Sequence, residues 1–130
     1  MSVASEATNK ALVLVALDTL LNQRDYSAAK QYWSPDLILH CPHIGPGRDG
    51  LFEFVKVAPA ELRYEPGVIV ADEDYVFVHG RISGNGHSRN WIVVTILRIE
   101  DKRVAEQWEV VQDEASLEET RSGHPMFGDY

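Results

Sequence analysis

Apolar positions change their spacing once along this chain, near residue 60, dividing it into a helical half and a sheet half. From Ser5 to about Asn22, Ala and Leu dominate without Pro or Gly. Between Ala11 and Leu17 apolar side chains cover almost every side, which predicts a helix packed on most faces. Ser5 is its expected N-cap, with Glu6 favourably placed in the first turn. A second short helix is expected over Tyr26–Trp33, ended by Ser34-Pro35 because a residue before proline avoids the helical region. Asp36–Cys41 (DLILHC) then reads as a strand, Pro42 closes it, and Gly45-Pro46-Gly47 forms a loop. A third helix is expected over Arg48–Ala58, with Leu51, Phe52, Val55 and Ala58 on one face, and Pro59 stops it. Arg48 and Asp49 cap and orient that helix.

Beyond Pro59 the chain is rich in Val, Ile, Tyr and Trp. Strands are expected at Leu62–Ala71, Tyr75–Ser83, Arg89–Ile99 and Arg103–Gln112, separated by turn clusters. Helices followed by strands on short turns predict an α+β fold with an antiparallel sheet. In Trp91–Ile99 one parity carries Trp91, Val93, Thr95, Leu97 and Ile99; the other carries Ile92, Val94 and Ile96. Both faces of such a sheet need cover. The helices supply one cover, and a second copy of the chain is the economical other, so a homodimer is expected. The acidic tail from Glu114 reads as a frayed end, with Met126-Phe127 its one apolar pair able to dock back.

Composition narrows the function. At 130 residues the chain is one domain, 1–130, large enough to bury a core without staples. A formal charge of −8 argues against nucleic acid, since nothing here would neutralise a row of phosphates. The apolar run Ala11–Leu17 is far shorter than the roughly 20 residues a bilayer requires, and Glu6 precedes it, so neither a membrane span nor a leader is expected. Cys41 is the sole cysteine, which excludes an internal disulfide and suits a reducing cytoplasm.

Candidate chemistry centres on Glu109. It shares a strand face with Ala105, Gln107 and Val111. A carboxylate on an apolar pocket wall is poorly solvated, which raises its pKa and suits general acid/base work; a solvent-facing or salt-bridged glutamate is the bland alternative. Register decides between them. A two-residue Asp101-Lys102 turn sets Thr95 opposite Trp108 and turns Glu109 away, whereas a three-residue loop with Lys102 left-handed puts Thr95, Gln107 and Glu109 on one face. His40, His43 and His79 are candidate donors or proton relays. Their spacing is too loose for a metal motif, and no metal is expected. Tyr26, Trp33, Phe54 and Trp91 are the aromatic candidates for a pocket wall, though aromatics at helical spacing more often serve a core. Cys41 lacks a basic neighbourhood and reads as a small core residue.

The pattern H-x-P-x4-G-R-D-G-L at His40–Leu51 resembles the SnoaL-like proteins of the nuclear-transport-factor-2-like superfamily. ILRIEDKRVAEQWEVVQ at Ile96–Gln112 resembles that family's last hairpin, and SGHPMF at Ser122–Phe127 is similar to the ending of its aldol-condensation or polyketide-cyclase-like branch. The resemblance implies a cone-shaped α+β barrel, a curved, mostly antiparallel sheet wrapped around N-terminal helices, an apolar cavity, no cofactor and a dimer. It also implies an acid/base at Glu109, matching an aspartate of the cyclases. The family's partner groups fall at Thr95 and Gln107, which hydrogen-bond but do not exchange protons near neutral pH. The expected function is a cofactor-independent isomerase, aldol-type cyclase or dehydratase acting on a small apolar carbonyl compound. Glu109 would be its base, with His40 or His79 as helper and His43, Thr95 and Gln107 among the substrate contacts. A non-catalytic dimer binding an apolar ligand or a partner, and an epoxide-opening hydrolase or cyclase, are the alternatives.

Overall fold

The computed structural model describes residues 3–128. The chain runs α1 (Val3–Leu17), α2 (Tyr26–Ala29), β1 (Trp33–Leu39), α3 (Gly47–Val57), β2 (Arg63–Asp72), β3 (Tyr75–Ser83), β4 (Trp91–Glu100) and β5 (Arg103–Asp113). The strands form one open five-stranded sheet in the order β1-β5-β4-β3-β2, with β1 parallel to β5 and the other neighbours antiparallel. Its concave face wraps the helices as an unclosed α+β cone. The core between them includes Val13, Leu17, Leu20, Phe52, Val55, Val78, Leu97 and Val104.

Three local expectations are corrected. Ser5 lies inside α1, which is already helical at Val3, so it is not the N-cap. The second helix stops at Ala29, and Trp33 belongs to a strand. Tertiary pairing overrides local preference there: the Val104 N–H donates to the Tyr32 carbonyl at 2.7 Å, and Trp33 aligns with Val104 in a fully buried position. The tail is anchored through Met126 and Phe127. Met126 Sδ accepts the Ala115 N–H at 3.2 Å, and the Phe127 ring sits 4.7 Å from the Arg81 guanidinium.

The last helical turns of the N-terminal segment widen into a π-helix over Asp18–Asn22. Asn22 there donates to the Tyr64 carbonyl at 3.0 Å and accepts the Tyr64 N–H at 2.8 Å, fastening the helix to β2. At the start of α3, a Cβ on Gly50 would come within 2.1 Å of the Gly45 carbonyl oxygen, so the loop can cross the helix only over a glycine.

The β4–β5 hairpin combines the two expectations, with the two-residue turn of one and, beyond a bulge, the inward Glu109 of the other. Asp101 and Lys102 form a two-residue turn, both with positive φ (51° and 61°), and Glu100 pairs with Arg103. A β-bulge follows: Ile99 pairs with Val104, Arg98 with Glu106, and Val104 and Ala105 are both buried. The extra residue restores Thr95 opposite Glu109. Among the described residues no helix is long and apolar enough to cross a membrane.

Candidate active site

Alternation along β4 and β5 builds one wall of the site. Thr95 pairs with Glu109, Val93 with Val111 and Trp91 with Asp113, so these six positions run in line towards the open end of the hairpin. Phe54 from α3, Ile82 from β3, and Cys41, His43 and Ile44 after β1 close the other sides. His87 comes from the β3–β4 loop. The buried Asn85 staples that loop, accepting the His87 N–H at 2.9 Å and donating to the Arg89 carbonyl at 3.1 Å. The His87 ring then lies 5.2 Å from the Trp91 ring. Together these groups enclose a largely apolar cavity of about 450 Å³.

Glu109 presents its carboxylate to this cavity. Its Oε1 accepts a hydrogen bond from Gln107 Nε2 at 2.8 Å, and its Oε2 faces the Cys41 thiol at 3.8 Å. Burial pushes the Glu109 carboxyl up, and the two hydrogen bonds hold it back only in part. The Cys41 thiol is also pushed up, chiefly by burial, and so stays a neutral donor. No lysine or arginine is among the described cavity-lining residues. One carboxyl group with an elevated pKa, gripped by neutral donors and facing apolar walls, is suited to take and return a proton.

The expected site residues separate into distinct groups. Glu109, His43, Phe54 and Trp91 line the cavity. Thr95, Gln107 and Trp33 are packed behind it, with relative exposures of 2%, 1% and 0%. Tyr26 lies against Phe52 and Lys56, away from the cavity lining. His40 and His79 stand on the outer face of the sheet. His40 stacks on Trp108 with 4.8 Å between centroids and bonds Glu106 Oε2 at 2.7 Å, while His79 lies 5.7 Å from Phe127. No cluster of three His, Cys, Asp or Glu able to hold a metal occurs among the described residues.

Three lining residues with polar or titratable side chains were not foreseen as part of the site. Cys41 is buried as expected, yet it reaches Glu109 instead of serving only the core. Asp113 was visible as the same-parity position four residues beyond Glu109. His87 carries no periodic signal, because it lies in a loop.

Solved structures with the same fold include a candidate ketosteroid isomerase from Kribbella flavida. It is 18% identical, covers 85% of this chain and 82% of its own, and has a TM-score of 0.73. A candidate hydroxylase, AclR of Streptomyces galilaeus, is 26% identical over 82% of this chain and 90% of its own, with a TM-score of 0.68. IdmH, a candidate polyketide cyclase from Streptomyces antibioticus, is 17% identical over 79% and 91%, with a TM-score of 0.61. Among curated proteins none matches this chain. A family model described as SnoaL-like domain matches residues 14–107, well over half of the sequence, and the chain therefore belongs to the SnoaL-like family.

Proposed function

We propose that this protein is a cofactor-independent enzyme that moves a proton on an apolar carbonyl compound, with Glu109 as the acid/base. The observation that carries the proposal is the Glu109 carboxyl, raised in pKa by burial and facing an apolar cavity between neutral donors. Glu109 removes a proton from carbon next to the carbonyl, and the electron pair moves onto the carbonyl oxygen as an enolate. His43 and His87, which line the same cavity, are the candidate donors to that oxygen. They take over the helper role expected of His40 and His79. Glu109 then gives the proton back: to another carbon, which isomerises the substrate; to the alkoxide formed when the enolate attacks a second carbonyl and closes a ring; or to a departing β-hydroxyl group, which leaves as water.

Proton exchange tests the shared first step. In D2O, apolar ketones with an acidic C–H, beginning with 2-tetralone, are expected to incorporate deuterium in the presence of the protein, followed by proton NMR. Glu109→Gln should slow the catalysed exchange by about 10²–10⁴-fold with ligand affinity retained. Undiminished exchange in that variant overturns the proposal.

A second reading, non-catalytic binding of an apolar ligand, is favoured by Thr95 and Gln107, which cannot supply a second titrating group. Wild-type protein that binds the ketones and exchanges nothing supports it. Epoxide opening fits the cavity less well. Asp113, the other carboxylate of the lining, stands four residues along β5 from Glu109, about 13 Å along the strand. We further propose a cytoplasmic homodimer, joined through the outer face of the sheet.

A further inference from the structure

Behind Glu109 and the Gln107 amide that donates to it lies a buried indole, Trp33, to which the proton transfer just described gives no role. Trp33 and Gln107 are 0% and 1% exposed, and polar groups so far from water need partners. They satisfy each other. Trp33 Nε1 donates to Gln107 Oε1 at 3.0 Å. An indole nitrogen is a donor only, so the amide must present its oxygen to Trp33. That choice turns Gln107 Nε2 towards Glu109 Oε1, which accepts at 2.8 Å. A flipped amide would set N–H against N–H at one end and oxygen against carboxylate at the other. The ring of Trp33 is itself locked, edge-on to Phe52 at 6.2 Å, with its carbonyl accepting from Arg48 Nη1 at 3.2 Å.

We propose that Trp33 is a positioning residue: through Gln107 it pins Oε1 of Glu109, leaving Oε2, the oxygen beside Cys41, to exchange protons with a cavity ligand. The inference rests on Glu109 as the acid/base. The Gln107 N–H favours the anion and so opposes the upward push of burial on the carboxyl. Its strength depends on an amide that cannot turn over.

The test needs no turnover. The Glu109 carboxyl is titrated by ¹³C NMR in protein labelled at glutamate Cδ, with Glu109→Gln assigning the resonance. Gln107→Leu is expected to raise the Glu109 pKa by about one unit. Trp33→Phe should raise it by a smaller amount, and the double variant no further than Gln107→Leu alone. An unchanged pKa in Trp33→Phe, or shifts that add in the double variant, overturns the proposal. Should Trp33→Phe not fold, the wild-type indole N–H resonance of Trp33 decides. It must titrate with the Glu109 pKa, and a pH-independent resonance overturns the link. Full proton exchange in Glu109→Gln would instead sink the acid/base assignment, whatever these titrations show.

Discussion

Glu109 sits where its anion is poorly solvated, and this has two consequences of opposite sense. As a base it must be ionised, so the exchange rate should climb with pH through a pKa above the ordinary carboxylate range. A pH–rate profile whose acid limb falls at an ordinary glutamate pKa, about 4.3, would contradict this. For stability the sign reverses. A carboxyl whose pKa is raised in the folded state stabilises the fold below its unfolded pKa, and that contribution is lost as pH rises through the folded value. Glu109→Gln should therefore be more stable than wild type at pH 7, with the gap closing below about pH 4, as read from thermal melts across pH. The shared parity of Gln107 and Glu109 was legible in the sequence but the face it takes was not, and alternation also places the histidines. Along β1 and just past its end, Trp33, Leu37, Leu39 and Cys41 face inward, so His40 faces out. In β3, Val76, Val78 and Ile82 are buried, so His79 faces out. Their titratable chemistry suggested a site that their alternation denies them.

At the scale of the elements, the β4–β5 hairpin decides whether there is a site at all. Its tight turn alone would have turned Gln107 and Glu109 to the outer face, and the bulge at Val104-Ala105 turns them back. Bulges leave little trace in a sequence, since a pair of small or branched apolar residues is also what a buried strand contains. The long runs of β2 to β5 were legible because period-two patterning persists over ten residues or so, whereas β1 was misjudged because its pairing with β5 is remote in sequence. Lys102 occupies φ 61°, where a side chain is strained and glycine is not. Lys102→Gly should stabilise the protein by about 0.5–1 kcal/mol in chemical denaturation, with turnover unchanged. The tail behaves differently. Arg89 holds the Glu119 carboxyl down at about 2, and Arg81 binds Glu114 through two hydrogen bonds of 2.9 and 2.6 Å. A depressed carboxyl stabilises above its unfolded pKa and loses that contribution as pH falls towards the folded value. Tail anchorage should therefore persist at neutral pH and weaken between about pH 4 and pH 2, seen as faster amide exchange in the tail around Glu119.

For the whole molecule, the outer face of the sheet poses the remaining physical problem. Tyr75, Phe77, Ile38 and Val110 are 40%, 41%, 49% and 65% exposed on it, and Ile96 and Trp108 join Tyr75 and Phe77 in a shallow groove. A soluble chain seldom leaves so much contiguous apolar surface to water. Several ions on that face pair with one another. Glu106 bonds His40 at 2.7 Å and Arg98 at 3.0 Å, which holds its carboxyl below the usual range, so covering them strands few unpaired charges. With a net charge of −8, a second copy must approach through a patch that is mostly apolar, and this is one, with Asp72 at its edge. The proposed dimer follows from that combination, and a stable one should bury about 800 Å² on each subunit. Sedimentation equilibrium of wild-type protein at micromolar concentration should give twice the 14.6 kDa chain mass, and Phe77→Glu should give the chain mass itself. Phe77 lies on the parity opposite Val76 and Val78, so the variant keeps the cavity and should retain ketone binding. A wild-type chain that sediments as a monomer would leave the face uncovered and the proposed dimer refuted.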